Sequence, residues 1–279
     1  MSYQFVDKNG NVLQRPLNFA ATDAQVQKAI DNLYNLGKLQ KSELSRKLKG
    51  KKIVFLGDSI HAYAVPDGIT IPYYIQYHTE AECYNFAQGG TTMATMGVAN
   101  YDPYCCAKMV DALVDGDFTD QEFYQEDRSF TKQVAAMKEL DFSTVEYIVI
   151  EFGTNDCLKA VPLDNEEDIY DISTTGGALR YSIKRLLTYN PKLIILVCNV
   201  QAMSGYLDAE HQKPYTSDSQ NNVIENILET YSIPLIDIKR KLGLNQFTSS
   251  TLLTDGLHRS RDGKLKQVSI IENVLDQNS

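Results

Sequence analysis

Ser59 is the residue in this chain best placed to do chemistry. It closes the tripeptide Gly57-Asp58-Ser59, directly behind the apolar run Lys52-Ile53-Val54-Phe55-Leu56. That run reads as a buried strand, and the carboxyl ends of strands in open α/β sheets are where ligands collect. A serine hydroxyl is a poor nucleophile at neutral pH. It needs a neighbouring base, an acid that orients the base, and donors that hold the negative charge formed on the substrate. His258 is the candidate base, because an imidazole with an unperturbed pKa of ~6.5 shuttles protons near neutrality. Asp255 lies three residues earlier in Thr254-Asp255-Gly256-Leu257-His258, close enough to fold back and hold the imidazole tautomer. Taken alone, the same pair also reads as a helix-capping aspartate and a surface histidine. Two further polar segments lie between these ends, Asn85-Phe86-Ala87-Gln88-Gly89-Gly90-Thr91 and Phe152-Gly153-Thr154-Asn155-Asp156.

These four segments, in this order, resemble the sequence blocks of the SGNH (GDSL-type) hydrolases, a family named for its Ser, Gly, Asn and His. The resemblance runs from roughly Gly50 to the C-terminus. It implies a Ser59–His258–Asp255 triad. It also assigns three oxyanion donors, the backbone N–H groups of Ser59 and Gly90 and the side-chain amide of Asn155. Each such donor lowers a barrier by about 3 kcal/mol. A glycine at 90 suits close backbone approach to an acyl oxygen; Gly89 competes for the role, and counting from Asn85 favours Gly90. Many family members carry an acidic residue after this glycine. This chain has Thr91, which leaves open how the loop is supported. Asp58 and Asp156 are expected to fix their loops through backbone hydrogen bonds. As a metal ligand Asp58 would stand alone, because no His/Asp cluster at metal spacing accompanies it. The chemistry requires no metal or cofactor.

The elements that must position these residues alternate along the chain. Strands are predicted at Ile53–Leu56, Ala81–Phe86, Tyr147–Phe152, Leu193–Val200 and Leu235–Ile238. Three of the five are continuous apolar runs, as strands covered on both faces require. Helices are predicted at 177–189, ending at Asn190-Pro191, at 218–231, ending before Pro234, and at about 262–275. This pattern, with the resemblance, implies an α/β fold: a doubly wound, mostly parallel five-stranded sheet with helices on both faces, a flavodoxin-like sandwich. Residues 51–279 form the expected catalytic domain. Within it, residues 100–142 exceed a simple crossover, and read either as a lid beside the site or as surface decoration. Helices are expected there at 105–114 and 130–140. Residues 1–50 read as an appendage and linker. Asp7-Lys8-Asn9-Gly10-Asn11 is a turn signal, and Thr22-Asp23-Ala24-Gln25 opens a helix striped by Val26, Ile30 and Leu33. This region loosely resembles the leaders that dock catalytic modules onto larger assemblies, including phage tails.

The 279 residues carry a net charge of −9, which disfavours nucleic acid or an anionic membrane as partner. The N-terminus lacks the pattern of a signal peptide, and no run approaches the ~20 apolar residues of a membrane span. The expected location is the cytoplasm or a phage-type assembly. Five cysteines, Cys83, Cys105, Cys106, Cys157 and Cys198, form no C-x-x-C pair, so neither a disulfide framework nor a zinc site is indicated. Cys83, Cys157 and Cys198 are expected to pack as small apolar groups. Of the other histidines, His61 is expected at the pocket mouth, and His78 and His211 in solvated loops. Tyr63, Tyr73, Tyr74, Tyr77, Tyr101 and Tyr104 crowd the segments after the first two blocks, where some could stack on sugar rings. The G-x-S-x-G elbow is absent, since His61 stands two residues after Ser59, and no P-loop, dinucleotide fingerprint or H-E-x-x-H occurs. The reading is a serine esterase for short acyl esters, with O-acetyl groups on a carbohydrate as the expected substrate. Its rivals are a lipase, lysophospholipase or thioesterase for longer chains, and a binding or structural module that kept the fold.

Overall fold

The computed structural model describes residues 5–6, 12–13, 45–201 and 216–279. The predicted helix after Thr22 and the loop carrying His211 lie outside them. The chain divides into two compact units, Met1–Gln40 and Lys41–Ser279. In the first, β1 (Phe5–Val6) and β2 (Val12–Leu13) pair antiparallel, on either side of the Asp7–Asn11 segment.

The larger unit is built on five parallel strands: β3 (Lys52–Gly57), β4 (Glu82–Asn85), β5 (Tyr147–Glu151), β6 (Ile194–Cys198) and β7 (Leu235–Ile236). Their order across the sheet is β4-β3-β5-β6-β7. The chain thus reverses direction of travel between β3 and β5, and at that switch point the loops after the two strands splay apart and leave a crevice. Ser59 follows β3 and Asn155 follows β5, so the two predicted groups flank it.

The central strands are apolar on both faces because both are covered. Val54, Leu56, Ile148, Ile150, Ile195 and Val197 alternate onto one face, in a core with the helices Cys106–Asp115, Thr131–Glu139, Thr175–Tyr189 and Ser217–Tyr231. Ile53, Phe55, Val149 and Leu196 point the other way and are equally buried. On that side the helices Ile71–Thr79 and Arg261–Gln277 pack together, burying Tyr74, Ile75, Val268 and Ile271. The fifth strand is two residues shorter than predicted. Asp237 leaves the extended conformation to cap a short helix, Ile238–Lys241, accepting from Arg240 N.

Two observations refine the expected layout. Within the stretch 100–142, Cys106, Met109, Val110, Leu113, Phe130, Val134 and Met137 are core residues. Its first helix is a crossover that covers the sheet. The larger unit also begins before residue 51. Leu48 in the helix Ser45–Leu48 is fully buried, and Gly50 N donates to Glu80 O at 2.9 Å. Among the described residues, no helix is long and apolar enough to cross a membrane.

Candidate active site

Ser59 opens a four-residue helix, Ser59–Ala62, at the end of β3. Asp58 caps it: Oδ1 accepts from Ile60 N at 2.9 Å, holding Ser59 at the first helical position with only 6% of its surface exposed. Asp58 is buried, and that burial pushes its carboxyl up to about 8, against the opposing pull of the Ile60 N–H. The nearby Glu151 and Asp156 add to the rise, so the group is protonated at neutral pH.

His258 reaches Ser59 from 199 residues away, with Nε2 2.9 Å from Oγ. Its loop is a tight turn in which Thr254 N donates to His258 O at 2.9 Å and Leu253 bridges Arg259. Asp255 organises that turn. Oδ1 accepts from Leu257 N at 3.1 Å and His258 N at 2.7 Å, while Oδ2 lies 2.7 Å from His258 Nδ1. Partial burial works to raise the Asp255 pKa. The hydrogen bonds from the His258 side chain and backbone outweigh it and hold the carboxylate below its ordinary range. An ionised carboxylate only accepts, so Nδ1 carries the proton and Nε2 offers its lone pair to the serine O–H. The sequence placed these three residues in two distant segments; the structure brings them into one hydrogen-bonded line.

The second block folds over the first. Gln88 N donates to Gly57 O at 2.9 Å, and Asn85 Nδ2 donates to the carbonyl of His61 at 2.8 Å. A Cβ at Gly89 would lie 2.6 Å from the Tyr63 hydroxyl, so that exposed ring would have to shift to admit one. Gly90 has φ +78°, a backbone angle that other residues adopt only at a cost. Thr91 supports the loop: its buried hydroxyl lies 2.6 Å from Gln88 O and 3.4 Å from Gly57 O. The backbone N–H groups of Ser59 and Gly90 donate to no protein acceptor among the described residues. Asn155, in the helix Thr154–Lys159, donates one amide hydrogen to Thr91 O at 2.8 Å, which leaves the second for a ligand. Asp156 is buried beneath and ties the blocks together, accepting from Met93 N at 2.9 Å and Ala94 N at 3.3 Å. Burial raises its pKa to about 6 despite those bonds. Cys157 is buried, as are Cys105, Cys106 and Cys198, whereas Cys83 on the edge strand β4 is only half-buried; all five are free thiols.

Three residues that the sequence reading passed over form a charged hub below the serine. Glu151, the last residue of β5, has Oε2 2.6 Å from His61 Nε2 and accepts from Gln267 Nε2 at 2.5 Å. Arg259, next to His258, donates Nε to Gln267 Oε1 at 2.7 Å, with Nη2 3.9 Å from Glu151. Burial alone would raise Glu151; His61, Arg259 and Gln267 together hold it below its ordinary value. Burial lowers Arg259, with Glu151 and Asp58 opposing the shift. The hub thus grips the helix of Ser59 through His61 and the loop of His258 through Arg259. A charged residue ending an otherwise apolar strand was the available signal. His61 is accordingly fully buried and not at the pocket mouth. His78 is no solvated loop residue either: it lies in the helix Ile71–Thr79 and pairs with Glu272 at 2.8 Å. Of the tyrosines, Tyr74 and Tyr104 are core. Tyr63, 43% exposed, lies 5.0 Å from the His258 ring, and Tyr101 packs against Gly90.

Comparison with known proteins bears on the family and the fold. A family model described as GDSL-like Lipase/Acylhydrolase matches residues 53–271. A protein from Lactobacillus plantarum shares the fold at TM-score 0.63 and 18% identity, covering 83% of this chain and 99% of its own. A member of the lipolytic protein G-D-S-L family from Veillonella parvula is similar at TM-score 0.51 and 15% identity, over 81% of this chain and 98% of that one. The lipase/acylhydrolase from Enterococcus faecalis is similar at 0.50 and 17%, over 82% and 96%. No curated protein sequence matches the chain.

Proposed function

Because the chain belongs to the GDSL-like lipase/acylhydrolase family, we propose that it is a serine esterase working through Ser59, His258 and Asp255. The observation that carries this reading is the continuous line from Asp255 through His258 to Ser59, with contacts of 2.7 Å and 2.9 Å. Ser59 Oγ attacks the ester carbonyl as its proton passes to His258 Nε2. The carboxylate of Asp255 keeps the imidazole in the right tautomer and stabilises the imidazolium. The tetrahedral oxyanion is met by the N–H groups of Ser59 and Gly90 and the free amide hydrogen of Asn155. His258 then returns the proton to the leaving alcohol. Water, activated by the same imidazole, hydrolyses the acyl-enzyme.

The substrate we propose is a short acyl ester, with O-acetyl groups on a carbohydrate as the class that fits best. The exposed ring of Tyr63 beside His258 supports it, since a tyrosine offers a sugar both a flat apolar face and a hydroxyl. A fluorophosphonate should label Ser59, and Ser59→Ala should abolish hydrolysis without loss of fold; labelling at another serine or retained turnover would overturn the triad. Rates on nitrophenyl esters should fall from acetate or butyrate toward octanoate, with acetate released from acetylated saccharides. A steady rise with chain length, where each buried CH₂ can add about 0.8 kcal/mol, would favour a lipase-like substrate instead.

A further inference from the structure

The peptide that carries the Gly90 N–H joins two glycines, Gly89 and Gly90. Such a peptide has little steric preference between its two orientations, and a half-turn would present a carbonyl to the oxyanion in place of an N–H. Something must hold it. Arg128, from the turn before the helix Thr131–Glu139, donates Nη2 to the Gly89 carbonyl. Its own carbonyl accepts from Gln88 Nε2 at 3.2 Å, and its guanidinium lies 3.9 Å over the ring of Tyr101. That ring backs directly onto Gly90, where a Cβ would sit 3.0 Å from its edge. On the next peptide, Lys159 Nζ donates to the Gly90 carbonyl at 2.7 Å. In a trans peptide C=O and N–H point in opposite directions, so fixing the Gly89 oxygen on Arg128 fixes the Gly90 hydrogen on the other side.

We infer that Arg128 is a positioning residue for the reaction: it locks the Gly89–Gly90 peptide so that the Gly90 N–H faces the acyl oxygen. It stands outside the triad and the oxyanion donors, and it acts from the stretch 100–142, outside the four blocks. The inference rests on the esterase reading above.

The test uses Arg128→Met and Arg128→Lys in the full chain, with nitrophenyl acetate as substrate and phenylboronic acid as a probe whose tetrahedral serine adduct needs the oxyanion donors. Arg128→Met should lose about ten- to hundredfold in kcat, as a misplaced catalytic group does. KM should stay within about twofold, and boronate affinity should fall by the same factor as kcat. The pH profile should not move, because His258 is untouched. Arg128→Lys keeps a donor but loses the planar fork, and should fall between the two. A kcat within twofold of the parent in Arg128→Met would overturn the inference, as would a raised KM at unchanged kcat, which would make the cation a substrate contact. If Arg128→Met does not fold, Arg128→Lys decides: a proportional loss of kcat and boronate affinity supports the inference, and any loss of kcat without it, or none at all, overturns it. Ser59→Ala is measured alongside. If that variant turns over, the esterase reading itself falls; if it is inactive while the Arg128 variants match wild type, only the positioning role falls.

Discussion

Replacing Asp58 by asparagine should stabilise the protein increasingly as pH rises. Asp58 is 1% exposed, its Oδ2 has no hydrogen-bond partner among the described residues, and the pull of the nearby Arg259 guanidinium is smaller than the cost of burial. Burial therefore lifts the carboxyl from its ordinary 3.8 to about 8. The sign follows from proton counting. Between about pH 4 and pH 8 the folded state keeps a proton that the unfolded state has released, so stability is full below the lower value and declines toward the upper. The slope is about 1.4 kcal/mol per pH unit, and roughly 4 kcal/mol has been lost by pH 7. Asparagine cannot ionise and retains an oxygen to cap Ile60 N, so it removes the slope and leaves the Ser59 helix in place. Asp156 titrates in the same range, but it is common to both proteins and cancels in the difference. Urea unfolding of wild type and Asp58→Asn should be followed by circular dichroism at pH 5, 6, 7 and 8, since the chain has no tryptophan. The stability gap should widen in favour of asparagine with each step, and esterase activity at pH 7 should stay within a few-fold of wild type. Parallel curves, or a gap that closes with rising pH, would refute the account of Asp58 as a buried neutral acid.

Three further outcomes are expected. Asp255→Asn keeps an oxygen for the N–H groups of Leu257 and His258 but turns an amide toward Nδ1, reversing the tautomer; kcat should fall by roughly 10²- to 10⁴-fold with little change in melting temperature, and near-normal turnover would remove Asp255 from the mechanism. Glu151→Gln leaves Arg259 buried without its counter-charge, and urea unfolding should register a loss of about 3–5 kcal/mol; a loss under 1 kcal/mol would mean that the hub carries little strain-free charge pairing. A chain starting at Lys41 should retain stability and activity on a small ester, whereas one starting at Lys51 discards the buried Leu48 and should lose about 1.5–3 kcal/mol in the same assay; equal stability would show that Ser45–Gly50 contributes nothing to the larger unit.

What could be read from sequence, and what could not, divides by the range of the interactions concerned. The central strands were legible because burial on both faces leaves an unbroken apolar run, and a run such as Ile148–Ile150 needs no partner to be recognised. The crossover helix in 100–142 was also legible: Cys106, Met109, Val110 and Leu113 recur at i, i+3, i+4 and i+7, the stripe of a core-facing helix. The length of the stretch, greater than a simple crossover needs, is what suggested a lid or surface decoration. The placing of His61 at the pocket mouth failed for a geometric reason. Two residues on from Ser59 in a helix is about 200° round the axis, so when the serine faces the crevice the histidine faces the core.

The residues that the sequence did not yield act at a distance through groups of unremarkable local pattern. Glu151 meets Gln267 across 116 positions, and Arg128 meets Gly89 across 39. No periodicity announces either contact: the charge of Glu151 at the end of an apolar strand marks the residue but not its partner, and Arg128 lies in no stripe or motif. The four blocks, by contrast, are short stretches in which backbone and side chain both take part in the site, so their residue types are constrained locally. Gly90 illustrates the division. The need for glycine there follows from its left-handed backbone and the ring of Tyr101, and is written at position 90 itself. The direction in which its N–H points is not written there. That is set by which group holds the Gly89 oxygen, and a side chain supplied from another part of the fold can do this only once the sheet and the crossover helix have brought the segments together. An oxyanion donor can thus be located from sequence while its aim is decided by tertiary structure, and this is why the Arg128 variants probe something that substitutions within the four blocks cannot.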